Sequence, residues 1–389
     1  MSDMLQKLDV WRKWLLGAGI GFLLISLLGL FLSPATAYIS YLASFIFWFG
    51  LALGCLNLAM IHHLAGGAWG NVTRRIFEAG YMTLPLMAVL FVPVLPGVHE
   101  LYPWANPATV AGDPILQQKS AYENFPAFTL RAVVYFAVCI QIAFLLRRWS
   151  LRQDLALNRE CSLKAKTLSG PGIVVVPFVA TFAYVDWIMS AEPAWFSTIF
   201  GIILLAAGIL TALSLAIVLL AWLQPRFSPV ANRRHFLDLG NLLLAFVMFW
   251  TYVSFSQLLI IYSGNQPHEI AWYLHRIAGG WKWLLVFIAL FHFFVPFLIL
   301  LSRNLKEDIR ALAWVAGVVF CVDAGQIFWT IAPSYYPNGI QIHWTDFTAW
   351  LGFGGIWLGI FCGNFRRHPM LIHDLPESQT VSSKASSEK

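Results

Sequence analysis

The sequence predicts an all-α integral membrane protein of about ten transmembrane helices, with the N and C termini cytoplasmic. Three observations carry that expectation. Of the 389 residues, 59% are hydrophobic and only 11% charged, whereas soluble domains carry about 25% charged residues. Apolar runs of about 20 residues, each long enough to cross hydrocarbon, recur from end to end. The basic residues also alternate regularly between two sides. A pI near 9.1 could point to nucleic acid, but the Lys and Arg side chains sit at span ends, where topology accounts for them. The resulting expectation is a lipid bilayer environment and no nucleic acid.

In chain order, the expected spans are 14–32, 38–61, 80–96, 126–146, 170–190, 196–223, 236–262, 281–301, 311–332 and 345–364. The first follows Lys7, Arg12 and Lys13 and precedes Ala35-Thr36-Ala37, which gives it the look of a secretory leader. Its apolar run of 19 residues exceeds the roughly 7–15 of a cleavable signal, so it reads as an uncleaved helix. Twenty-one of the 25 Lys and Arg fall on one side, among them Arg147, Arg148, Arg152, Arg159, Lys164 and Lys166 between spans four and five. The other side holds only Lys119, Arg276 and Lys282. By the positive-inside rule the rich side is cytoplasmic, as expected for a multi-pass protein of a bacterial cytoplasmic (inner) membrane.

The polytopic region is expected over 1–374, followed by a polar tail over 375–389 that lacks periodicity and reads as disordered. The long outer loop, 97–125, carries Glu100, Asp113 and Glu123 among prolines and aromatics. It suits either an outer partner or a cover over the helices. Eighteen Trp and 12 Tyr fit interfacial belts.

Ionisable groups inside hydrocarbon cost several kcal/mol and are functional hypotheses by default. Arg131 in span four and Asp186 in span five lie at similar depth on consecutive antiparallel helices, so an ion pair is expected. It serves to lock two helices, to handle protons, or both. His292 in span eight and Asp323 in span nine are matched near the middle of the membrane in the same way. A lone midspan histidine is often merely satisfied; one facing a carboxylate suits a proton relay. Asp238 and Asn241, at the inner mouth of span seven, suit an entry route. Asp238 also suits the favourable dipole end of a helix. Ser254, Ser256 and Gln257 extend polarity outward along that span.

Glycines at 355, 359 and 363 in span ten and at 17 and 21 in span one recur every four residues, which lets another helix approach closely. Their place on the outer helices implies a neighbouring membrane subunit. A weak similarity between YFAVCIQIAFLLRRWSL and LFHFFVPFLILLSRNLK, each followed by a helix with Asp186 or Asp323, suggests two four-helix units, spans two to five and six to nine.

Other chemistries find no support. Cys55, Cys139, Cys161, Cys321 and Cys362 form no CxxC or CxxCH pattern, so no zinc, iron–sulfur or covalent haem site is expected. Only His292 is midspan, which argues against bis-histidine haem. No P-loop or dinucleotide fingerprint occurs.

Several segments resemble a known family: ENFPAFTLRAVVYFAVCI (123–140), LLRRWSLRQD (145–154), TFAYVDWIMSAEPAWFSTIFG (181–201), DLGNLLLAFVMFWTYVSFSQLLIIYSGNQPHEIAWYLHRIAGGW (238–281) and WTDFTAWLGFGGIWLG (344–359). They resemble the ActF subunits of alternative complex III, within the NrfD/PsrC-like superfamily. The resemblance implies ten helices in two four-helix bundles with two flanking helices. It implies a membrane subunit of a bacterial respiratory quinol:cytochrome c (or other acceptor) oxidoreductase, a quinone-binding or non-catalytic subunit of the assembly. The implied partners are a homologous NrfD-like membrane subunit, an iron–sulfur subunit and haem c subunits. Quinone or quinol is then the mobile cofactor, with haem c and iron–sulfur clusters expected only in the partners. On that reading Arg131, Asp186, His292, Asp323, Asp238, Asn241 and Gln257 form the candidate proton path. The rival expectations are a stand-alone secondary transporter with a midmembrane proton or ion site, and a purely structural membrane subunit.

Overall fold

A computed structural model describes residues 2–156, 159–223 and 233–367. The tail expected over 375–389 lies outside the described residues, as does Arg226 of the basic tally. The described residues form helices and connecting turns, with no strand among them. Among the described residues, nine helices are long and apolar enough to cross a membrane.

The first two are α1 (Ser2–Leu32) and α2 (Pro34–Ala65). The third crossing is broken into α3 (Ala68–Tyr81) and α4 (Leu84–Phe91). Pro85 causes the break: it has no N–H, and its ring opposes the carbonyl four residues back, that of Tyr81. The Thr83 hydroxyl and amide both turn back to the Gly80 carbonyl, at 2.6 and 3.0 Å. After the 97–125 loop come α5 (Phe125–Ala156) and α6 (Arg159–Trp187). Then follow α7 (Phe200–Leu223), α8 (Arg233–Gly264) and a short amphipathic α9 (Pro267–Ile277). The eighth crossing comprises α10 (Trp281–Ile288), a π-helical turn over Ala289–Phe294 and α11 (Val295–Leu300). The ninth is α12 (Ile309–Ile331), capped by Asp308, whose carboxylate accepts from the Arg310 amide at 2.9 Å.

The tenth expected span falls within α13 (Trp344–Arg367), which is not among the nine. Gly352, Gly354, Gly355, Gly359 and Gly363 dilute its apolarity. The third crossing, expected over 80–96, begins at Ala68 instead. Hydropathy hides its first turns because Asn71, Arg74, Arg75 and Glu78 are polar.

Helix α2 is the axis of the molecule. Its most apolar window is 94% buried within the chain, against 17% for α1. It packs on α1, α3, α6, α7, α12 and α13. Helices α5 and α6 pack on each other, and α7 packs on α6, α8 and α12. The α2–α7 contact is a backbone-to-backbone crossing. A Cβ on Gly54 would lie 2.0 Å from the Gly208 carbonyl oxygen, and one on Gly208 would lie 2.4 Å from that of Gly50.

The glycine stripe of span ten is used inside the chain. A Cβ on Gly355 would lie 2.6 Å from the Gly19 Cα, and one on Gly359 would meet Leu16. The stripe therefore seats α13 on α1, which corrects the inference that it receives another subunit. Gly17 and Gly21 have nothing within 4 Å and face away from this contact.

The loop over 97–125 folds back over the helix ends. Val98, Leu101, Tyr102, Trp104 and Leu116 are buried, and the Tyr102 hydroxyl donates to the Trp187 carbonyl at 2.8 Å. This part acts as a cover, while most of 106–113 stays exposed.

Gly54→Ala should be destabilising by about 1–3 kcal/mol, the usual cost of overpacking, because backbone carbonyl cannot yield as a side chain would. Gly17→Ala should be neutral. Detergent-unfolding curves of the two variants measure the difference, and equal curves would refute the crossing.

Candidate functional site

The side of the helices nearest the 97–125 loop is here the loop end, and the opposite side the basic end. Midway between them lies a buried pair. Pro296 opposes the carbonyl of residue 292, and the chain answers by widening into a π-helical turn. Such turns recur at functional sites. This one carries His292, fully buried, with Nε2 2.7 Å from Asp323 Oδ1. The other carboxylate oxygen accepts from the Thr211 hydroxyl of α7. Three helices thus converge on one carboxylate.

An ionised carboxylate can only accept, so an imidazole that faces one carries its proton on the facing nitrogen, here Nε2. Nδ1 is buried and has no hydrogen-bond partner among the described residues. Trp250 closes over the ring, with centroids 4.1 Å apart in an edge-to-face arrangement. An unpartnered buried polar atom costs about 1–3 kcal/mol. A carboxylate that orients an imidazole and leaves its far nitrogen bare is the geometry of a proton acceptor.

From Asp323 a line of polar groups runs toward the loop end. Gln326, one turn further along α12, donates to the Thr330 hydroxyl at 3.3 Å, and its own Oε1 is buried without a partner among the described residues. The Thr330 carbonyl accepts from Arg276 at 2.6 Å. Arg276 also donates to Glu192 at 2.9 Å and to the Ser334 hydroxyl at 2.8 Å. Its guanidinium stacks 3.6 Å from the Trp272 ring. Burial lowers the Arg276 pKa to about 10, against the opposing pull of Glu192. His275, 3.6 Å from Glu192, brings this cluster to the surface.

The second expected pair also forms. Arg131 grips Asp186 with Nε and Nη2, at 2.7 and 3.2 Å, and the Tyr135 hydroxyl adds a third bond at 2.8 Å. The guanidinium lies 3.8 Å from the Tyr122 ring and donates to the Tyr122 carbonyl at 2.8 Å. This fully satisfied set sits near the loop end and shares no residue with the His292 cluster.

The remaining candidates are scattered. Asn241 accepts from Lys306 at 2.7 Å, near the basic end. Gln257 accepts from Ser197 at 2.7 Å and donates to Tyr273 at 3.3 Å, near the loop end. Asp238 lies in the first turns of α8 and joins neither pair. Neither Asn241 nor Gln257 hydrogen-bonds to His292 or Asp323.

Sequence reasoning missed the most heavily paired carboxylate. Glu78 is 2% exposed and is held by Arg74 at 3.0 Å, and by Arg75 and Arg147 at 2.5 Å. Ser150 bonds to it as well. The i,i+4 and i,i+3 spacing to Arg74 and Arg75 was the available signal; the Arg147 contact was not. Thr211 gave no signal, being one of two hydroxyls, with Ser214, in an apolar helix.

Among the described residues, no group of three His, Cys, Asp or Glu could hold a metal ion. The five cysteines are free, and Cys55, Cys139 and Cys161 are buried packing residues. No family model and no curated protein matches this chain.

Two outcomes follow from the loop-end charges. Arg131→Leu strands a buried carboxylate and should cost about 3–5 kcal/mol, whereas Arg131→Leu with Asp186→Leu should recover most of that loss. A double-mutant cycle on unfolding free energy measures it, and additive losses would contradict the pairing. Glu123 has a buried oxygen without a partner among the described residues, and burial raises its pKa above the ordinary 4.5. The fold therefore favours its protonated form. That contribution is fully present below 4.5 and is lost as pH rises through the raised value. Loop protection against hydrogen exchange, corrected for the intrinsic rate, should be greatest in acid and fall across that window. Glu123→Gln should flatten the profile.

Proposed function

We propose that this chain is a proton-handling, non-haem membrane subunit of a respiratory quinol-oxidising assembly of the alternative complex III type. The single observation that carries the proton role is the buried His292–Asp323 contact of 2.7 Å with its bare Nδ1. Imidazole has an ordinary pKa close to neutrality and can pass protons to a neighbouring carboxylate. The line through Gln326, Thr330, Arg276 and Glu192 supplies polar groups between that pair and the loop end. Substituting either member removes the relay.

The assembly rests on the resemblance of the five segments over 123–359, and the topology on the basic-residue tally. On this reading the basic end is cytoplasmic, α13 is the tenth span, and both termini lie inside. The packing among α2–α6, and among α7, α8, α10–α11 and α12, supports two four-helix units flanked by α1 and α13. The loop end faces outward, where haem c and iron–sulfur partners would dock. A homologous membrane subunit would hold the principal quinol site. A crevice beside Thr211 admits about one water and does not fit a quinone ring, so no quinol chemistry is assigned to it.

Isolation from the native membrane tests the assembly: the chain should co-purify with haem c and iron–sulfur proteins. Purification alone or as a homo-oligomer would instead favour the carrier reading. Within the purified assembly, Asp323→Asn and His292→Ala should each lower proton-coupled turnover about tenfold or more, with subunit composition intact. Unchanged proton stoichiometry and turnover in both would leave only a structural role.

A further inference from the structure

A small cavity lies where α2, α6, α7 and α12 meet. Gly50, Tyr184, Gly208, Thr211 and Ile327 are among the residues that line it. Its volume for the centre of a water molecule is about 10 Å³, close to the minimum for one water. The α2–α7 glycine crossing creates the space, since Gly50 and Gly208 place no side chain there.

Two hydroxyl-bearing side chains border it. The Thr211 hydroxyl is bonded to Asp323 and also lies 2.9 Å from the Ala207 carbonyl of its own helix; with the proton on the Asp323 side, its oxygen is an acceptor toward the cavity. Tyr184 is 1% exposed, and its hydroxyl forms no hydrogen bond to a described residue. That hydroxyl lies 3.5 Å from where a Cβ on Gly50 would stand, so it is turned into the cavity. A buried phenol normally finds a partner, and a water with two to four polar neighbours is the ordinary solution.

We propose that one water molecule binds here between Tyr184 and Thr211, and that Tyr184 acts through it as a positioning residue for the Asp323 carboxylate. The donors then run in one direction. The Tyr184 hydroxyl donates to the water, the water donates to Thr211 Oγ1, and the Thr211 hydroxyl donates to Asp323. This chain reaches from α6 to the His292 pair through α7, and so joins the two sets of helices by hydrogen bonds as well as by packing. Its consequence for turnover rests on the proton-handling reading; the water site does not.

Gly50→Ala and Tyr184→Phe test it. The added Gly50→Ala methyl would stand 3.5 Å from the Tyr184 hydroxyl and 3.7 Å from the Gly208 Cα. Those are ordinary contacts, so the variant folds while filling the cavity. In the full chain in lipid, a structure at water-resolving resolution should show density bonded to both hydroxyls, absent in Gly50→Ala. The infrared carboxyl band that Asp323→Asn abolishes should shift in both variants. Missing density in the unaltered protein, or an unmoved band in both variants, overturns the proposal. Proton-coupled turnover should fall about fivefold in Tyr184→Phe, the factor for one net hydrogen bond. If density and band shift are present but turnover is unchanged, the water bridge stands and the role of Tyr184 in turnover fails, while the His292 and Asp323 variants still decide the proton-handling reading.

Discussion

The close crossing of α2 and α7 is the contact on which the other packing depends. In a bilayer, lipid tails are as apolar as the side chains, so helices associate through tight packing and polar contacts rather than through exclusion of water. Gly54 and Gly208 bring two backbones together, and their neighbours then find fixed positions. Helix α2 receives α1, α3, α6, α12 and α13 on its remaining faces. Helix α7 carries Thr211 to Asp323.

Three buried carboxylates of the membrane-crossing helices, Glu78, Asp186 and Asp323, are held in two ways. Glu78 is surrounded by three arginines and a serine. Asp186 has a bidentate arginine and a phenol. Both are closed sets whose geometry stabilises the fold. The His292–Asp323 pair is open: among the described residues Nδ1 lacks a partner, and so does Gln326 Oε1 one turn away. Incomplete satisfaction at that depth opposes stability, so the pair is the place where function is expected to outweigh it.

Depth was legible in the sequence because helix rise is constant. Counting residues from the span ends places Arg131 level with Asp186 and His292 level with Asp323, and both pairs form. Rotation about the helix axis was not legible. Asp238, Asn241 and Gln257 share α8 but turn to different neighbours, and none reaches the central pair. Nor was compensation legible. Arg74, Arg75 and Glu78 read as a polar end to the third crossing until Arg147 supplies the partner from α5. The glycine spacing of α13 announced a close helix contact without naming the helix, which is α1 of the same chain.

The proton-acceptor account stands on one atom, the bare Nδ1 of His292. Nitrogen-15 NMR of the full chain in lipid, with His292 assigned by its loss in His292→Ala, reads that atom directly. At rest the account predicts the tautomer with Nε2 protonated toward Asp323 and Nδ1 unprotonated, a preference that Asp323→Asn weakens. A proton on Nδ1 of the neutral ring, or a spectrum unchanged by Asp323→Asn, would contradict it.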